Sequence, residues 1–326
     1  MKNTIIKATG SYLPDKVVFN EELTQFPEDS RPKIAIKTGV LSRRVAPEEA
    51  CTSDLAIEAA RVCLKKANFP AEKIQGIVLS TSSPDRVQPP TSTRTQAALG
   101  APQAFAFDMN SVCAGSTYGI CMADALIRSG RFDNILFIAA EMYSKILNPN
   151  DFGTAPYFGD GAGAILFGAG NGGGKGVQHS CLGSDGHLCE EVGVFGGGTI
   201  MPFKRLTSPN TVYLKMNGRA IKEFAMKRGP GTIVRLAAEA GISLDEVDCF
   251  ICHQANINIL KEISSTLNIP FEKFYVNLDR YGNTASASVI IAMDEAIECN
   301  MIRDGSLVVT VSFGGGLNYG ANLIRF

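Results

Sequence analysis

Apolar and polar positions follow helical and strand periods in turn along the chain, and the order of those periods repeats. Residues 53–67 place Leu55, Ala59, Val62 and Cys63 at helical spacing behind a Thr52/Ser53 cap, which predicts an amphipathic helix. An apolar run over 74–80 predicts a strand that ends in the polar turn Ser80-Thr81-Ser82-Ser83-Pro84. The same helix, turn and strand return as a helix from about Thr232 to Ala240, an acidic turn at Asp245 and Glu246, and a strand ending at His253. A second unit repeats as well. Residues 116–127 resemble 287–297, with Met122 matching Met293, and each predicted helix precedes a polar turn and an apolar strand, 134–140 in one half and 306–312 in the other. Two α/β halves related by a pseudo-twofold are therefore expected, at 1–170 and 171–326. Their join lies near the glycines of 168–176, which do not support a helix or strand interior.

Composition narrows the class of molecule. With 326 residues, 45% hydrophobic and 19% charged, the chain is long and apolar enough to bury a core without disulfides or a structural metal. A net charge of −1 with scattered basic residues argues against a nucleic-acid partner. Lys7, Gly10 and Pro14 interrupt the apolar start, and no run reaches membrane-spanning length, so a cytoplasmic chain with no membrane partner is expected. The odd count of nine cysteines then reads as reduced thiols. Cys249 and Cys252 form C-x-x-C inside a predicted strand, where residues three apart face opposite sides, which disfavours a redox pair or zinc site.

Three polar residues fall where repeated strands end or repeated helices begin, the places at which α/β folds bind ligands. Cys113, in Asn110-Ser111-Val112-Cys113-Ala114-Gly115-Ser116, sits among small residues at a helix start. There, unpaired N–H groups would stabilise a thiolate by roughly 0.3–1 kcal/mol, or about 2 when partly buried; a plain buried thiol is the alternative. His253, in Cys252-His253-Gln254-Ala255-Asn256, breaks the end of a strand, and it could equally close that strand structurally. Of the three histidines, His179 and His187 fall in a predicted Gly/Ser-rich loop, which leaves His253 as the one held rigidly. Asn283, in Tyr281-Gly282-Asn283-Thr284, precedes a helix and suits a cap as well as a catalytic amide. Phe313-Gly314-Gly315-Gly316-Leu317 offers backbone N–H groups without side-chain obstruction, or a simple turn. Two other glycine-rich stretches lack their nucleotide-binding context. An apolar run instead of a helix follows Gly159-Asp160-Gly161-Ala162-Gly163, and no Ser or Thr follows Lys175.

In order, S-V-C-A-G at Cys113, G-D-G-A-G-A at Gly159, H-Q-A-N at His253, G-N-T at Asn283 and F-G-G-G at Phe313 resemble the β-ketoacyl-acyl-carrier-protein synthase III family. Thr38-Gly39-Val40 with Arg43 and Arg44, and the closing Leu323-Ile324-Arg325-Phe326, extend the match over nearly the whole chain. The resemblance implies a five-layered αβαβα thiolase fold, normally a homodimer. It also implies that Cys113 takes an acyl group from a thioester, with the N–H groups of Cys113 and Gly315 as oxyanion hole. His253 and Asn283 would then polarise a malonyl donor for decarboxylative condensation. No metal or redox cofactor is implied; thioesters of coenzyme A or an acyl carrier protein are the substrates. Phe313 and Asn256 are expected to line the substrate site.

The chain also departs from the family. It has no Trp where members commonly stack one on adenine, Lys33 standing there instead, and Asn258 replaces an Arg that helps dock the carrier. Gln88 aligns with the Phe that lines the partner subunit's acyl pocket, and Ser116 with the Phe after C-A-G. The expectation drawn from these changes is a pocket for a larger or more polar acyl group. They tilt the function toward secondary-metabolite over fatty-acid initiation. A non-decarboxylating acyltransferase and a catalytically silent partner subunit are the competing readings.

Overall fold

The computed structural model describes residues 2–170 and 172–326. The first half runs through β1 (Asn3–Tyr12), β2 (Val17–Phe19), α1 (Pro32–Thr38), β3 (Ser42–Arg44), α2 (Thr52–Lys66), β4 (Gly76–Ser80) and α3 (Thr91–Leu99). It continues with β5 (Phe105–Met109), α4 (Gly115–Arg128), β6 (Asn134–Glu141) and β7 (Gly161–Gly170). The second half contains β8 (Gly176–Ser184), the short β9 (Val192–Gly193) and β10 (Lys215–Met216), α5 (Gly218–Ala240), β11 (Cys249–Cys252) and α6 (Ile257–Thr266). It closes with α7 (Leu278–Tyr281), α8 (Ala287–Glu298), β12 (Leu307–Gly314) and β13 (Asn318–Arg325).

Two mixed sheets result, ordered β1-β7-β6-β4-β5 and β11-β12-β13-β8. In the first, β4 lies parallel to both β5 and β6; in the second, β11 lies parallel to β12. Strands covered on both faces read as unbroken apolar runs, and their two-residue period sorts side chains into different layers. Val78, Phe137 and Ile165 point inward to α4 and α8, and Val308, Ile251 and Ile324 reach the same core from the other sheet. Ile77, Leu79, Ile138 and Leu166 point outward onto α2. Phe250, Val309 and Val311 point outward onto α5 and α6. Helices, sheet, helices, sheet, helices: this is the αβαβα thiolase fold.

The sorting also separates Cys249, in the central core, from Cys252, in the outer one, and all nine thiols are free. Among the described residues no helix is long and apolar enough to cross a membrane.

Four expectations change. The helix expected from Thr232 begins at Gly218 and runs through Gly229-Pro230-Gly231. Interior Gly and Pro cost about 1 and 3 kcal/mol, but burial of Phe224, Ile233 and Leu236 contributes about 1.5–3 kcal/mol each and carries the helix through. The cap of α2 is Cys51, whose N–H donates to Asp54 Oδ2 at 2.9 Å, and not Thr52 or Ser53. Gly168 and Gly170 belong to β7, because Lys7 and Asn3 of β1 cover the space where their side chains would stand. His179 lies in β8 and not in a loop. The expected division between the halves falls at Asn171, outside the described residues.

Candidate active site

One cavity of about 380 Å³ is lined by Cys113, His253, Asn283, Asn256, Phe313 and Gly315 together. Cys113 sits on the short turn Val112–Ala114 that leads into α4. Val112 takes φ +48°, a left-handed conformation that a β-branched residue adopts only under strain of roughly 1–3 kcal/mol. The turn aims the sulfur into the cavity. Gly314 packs flat against it, since a Cβ there would stand 2.7 Å from both Cys113 N and Cβ. The expected stabilisation of a thiolate by the helix start is not what prevails. Burial pushes the Cys113 thiol well above its ordinary range, and the Glu141 carboxyl nearby raises it further, so the resting sulfur is protonated. A helix end contributes at most about 2 kcal/mol, too little to offset full burial.

His253 follows β11 and is buried, its N–H bonded to the Val311 carbonyl at 2.8 Å. Burial lowers its pKa to about 3, leaving a neutral imidazole. Nδ1 lies 2.7 Å from Ser288 Oγ. That hydroxyl accepts the Gln254 N–H at 3.3 Å and keeps its own proton for donation, for which Nδ1 is an acceptor within reach. When Ser288 donates to Nδ1, the ring proton stands on Nε2, on the cavity side, where the imidazole acts as a hydrogen-bond donor. Phe313 stands edge-on to the ring at 5.7 Å and holds its plane.

Asn283 is clamped through its backbone: its N–H donates to Tyr157 O at 2.8 Å, and its carbonyl accepts from Gly159 N–H at 3.1 Å. Its side-chain Oδ1 accepts the Ala285 N–H at 2.8 Å, which turns the Nδ2 donor toward the cavity. Two oriented N–H donors therefore share the cavity with one thiol.

The remaining expected residues divide. Phe313 and Asn256 line the cavity, although the Asn256 amide is spent on Asn258 N and Lys37 O while capping α6. Ser116 does not line it. It is fully buried between α4 and the start of α8, donating to the Ser286 carbonyl, because its position one residue into α4 faces the central core. Gln88 is exposed on its own chain, away from this cavity. The apolar wall beside Cys113 is instead formed by Tyr143, Phe158 and Leu214, with the Tyr143 ring stacked on Phe158 at 4.8 Å. The Tyr143 hydroxyl meets Ser82 Oγ at 2.9 Å. Sequence reasoning missed Tyr143 and Ser288. A lone serine in the apolar face of 287–297 was the signal for Ser288; Tyr143, two residues past a strand end, carried none.

Family models for 3-oxoacyl-[acyl-carrier-protein (ACP)] synthase III match residues 107–186, and for its C-terminal part residues 237–326. A curated relative, beta-ketoacyl-[acyl-carrier-protein] synthase III of Caldanaerobacter subterraneus subsp. tengcongensis, is 37% identical, covering 98% of this chain and 97% of its own. The crystal structure of 3-oxoacyl-[acyl-carrier-protein] synthase III from Aquifex aeolicus VF5 superposes with TM-score 0.91 at 34% identity, covering 99% of this chain and all of that one. A priming β-ketosynthase from the R1128 polyketide biosynthetic pathway superposes with TM-score 0.89 at a lower 26% identity, covering 100% of this chain and 96% of its own.

Proposed function

Because the chain belongs to the 3-oxoacyl-[acyl-carrier-protein] synthase III family of acyltransferases, we propose that it starts fatty-acid synthesis by building a carbon–carbon bond on an acyl group carried by Cys113. The observation that carries this reading is the convergence of one shielded thiol and two oriented N–H donors in a single cavity. The Cys113 sulfur attacks an acyl thioester, losing its proton as the C–S bond forms. The backbone N–H groups of Cys113 and Gly315 receive the oxyanion, each donor worth roughly 2.7–4 kcal/mol. The carrier thiol leaves with a proton. In the second half, His253 Nε2–H and Asn283 Nδ2–H hold the thioester carbonyl of a malonyl group. Loss of carbon dioxide leaves an enolate, which attacks the Cys113 thioester and expels the sulfur. A neutral, buried imidazole suits a donor to that carbonyl; it does not suit a base for the thiol. No cofactor is needed.

The earlier tilt toward secondary metabolism lacks support. Ser116 opens no space in the cavity, and the wall of Tyr143, Phe158 and Leu214 fits a compact apolar acyl group. Lys37 and Lys222 line the cavity, a charge that favours the anionic arm of coenzyme A or of an acyl carrier protein. The reading includes a homodimer; what supports it is β5, the edge of the first sheet, whose open backbone edge and half-buried Phe105, Phe107 and Met109 could take a second copy.

Intact-protein mass spectrometry with acyl thioesters tests the reading. Cys113 should gain the acyl mass, Cys113→Ala should not, and the acylated enzyme should release carbon dioxide only with a malonyl thioester. Transfer of the acyl group to an oxygen or nitrogen acceptor without carbon dioxide release would replace this function with a non-decarboxylating one.

A further inference from the structure

Strand β8 and the last turn of α5 bring together three side chains that the condensation does not use. The pleat of β8 places His179 and Cys181 on one face, while Ser180 between them turns the other way to meet Asn322. Glu239, next to the end of α5, reaches over both. Its Oε2 lies 2.8 Å from His179 Nε2 and 3.0 Å from Cys181 Sγ, and all three ligand atoms fall within 4.8 Å of one another. Lys222, at the active-site cavity, is on the same helix about 25 Å away at 1.5 Å of rise per residue.

We infer that His179, Cys181 and Glu239 form a binding site for one zinc-like divalent cation, separate from the active site. Imidazole nitrogen, thiolate sulfur and carboxylate oxygen are the donor set of zinc, with bonds of about 2.0–2.3 Å. A tetrahedral ion with such bonds needs its donors roughly 3.3–3.6 Å apart, so the half-exposed Glu239 carboxylate withdraws by about 0.5 Å to admit it. Cys181 loses its proton to solvent as the sulfur–metal bond forms; no electron transfer is involved, and water fills the fourth position. The placement of Glu239 points the same way. A carboxylate at a helix C-terminus faces the negative end of the dipole, and a bound cation relieves that conflict. Arg235 supplies part of this relief, 3.7 Å from Oε1, while donating to the Leu182 carbonyl at 3.1 Å. It leaves Oε2 for the metal, but it also bonds the Cys181 sulfur and opposes a second positive charge, so it must move aside as the ion binds. The bound ion would fasten β8, the edge of the second sheet, to α5.

Cobalt(II) and zinc(II) titrations of the reduced full-length protein test the site. One equivalent of cobalt should give a thiolate-to-metal charge-transfer band and tetrahedral d–d absorption, and zinc should displace it. Zinc affinity then follows from competition with a chromophoric chelator. His179→Ala and Glu239→Gln, both at half-exposed positions, should weaken zinc by roughly 10–100-fold or more. Cys181→Ala should abolish the charge-transfer band, Arg235→Gln should tighten binding, and Cys113→Ala should change nothing. Absence of the band in the wild-type protein, or zinc affinity unaltered in both His179→Ala and Glu239→Gln, would overturn the inference. So would a band that survives Cys181→Ala, which would assign the metal to another thiol.

Discussion

Ser288→Ala isolates the step that orients His253. The Ser288 hydroxyl is buried in the first turn of α8, 2.7 Å from His253 Nδ1, and by donating to Nδ1 it would favour the Nε2–H tautomer. Without it Nδ1 loses its donor, and the bias between tautomers falls by the net value of one hydrogen bond, about 0.5–1.5 kcal/mol. The rate follows the population of the competent tautomer, so condensation should slow by about twofold where the two tautomers become equal and by at most about 13-fold, the full 1.5 kcal/mol at about 1.4 kcal/mol per tenfold. Acylation of Cys113, which does not draw on His253 as a donor, should be unchanged. The assay is a pair of single-turnover measurements: acyl mass gain on Cys113 with an acyl thioester alone, then product formation after malonyl thioester is added to the acylated enzyme. Ser288→Thr, which keeps the hydroxyl, should recover part of the condensation rate. Equal loss in both half-reactions, or full condensation in Ser288→Ala, would refute the tautomer assignment.

Other expectations follow from the same geometry. His253 is neutral when folded down to a pKa of about 3 but titrates near 6.5 when unfolded, so the unfolded state binds the extra proton between those values. Stability should therefore fall as pH falls below about 6.5, by up to about 1.4 kcal/mol per unit, and denaturant melts of His253→Asn should show a shallower decline. Because burial holds the Cys113 thiol above its ordinary range, its alkylation by iodoacetamide should keep rising with pH through 9, and a plateau near 7 would contradict this. Gly314→Ala would press a methyl group 2.7 Å from Cys113 N and Cβ; a displacement approaching 1 Å should cost about 10²-fold in acylation, read by the same mass assay.

The order of the elements was legible along the chain because strands covered on both faces must be apolar throughout, and helices between layers must be apolar on a broad face. That is why 74–80, 116–127 and 134–140 lie within an element or overshoot one by no more than two residues, and why the repeat predicted two related halves. That Cys113, His253 and Asn283 would come together was legible as well, and they line one cavity, since each marks a strand end or helix start where small or polar residues interrupt an apolar pattern. Local pattern failed where long-range packing outweighed it. Gly229-Pro230-Gly231 reads as a break, yet the apolar side chains around it find the second sheet and keep α5 intact. His179 reads as loop because its neighbours are small and polar, but β13 supplies the pairing that makes it strand. Protonation states and pocket walls lay further out of reach. The burial that holds Cys113 protonated and His253 neutral, the Ser288 hydroxyl that meets the His253 ring, and the exclusion of Ser116 in favour of Tyr143 all depend on which segments meet across the two halves. Periodicity records which face of an element is covered; only the tertiary structure decides what covers it.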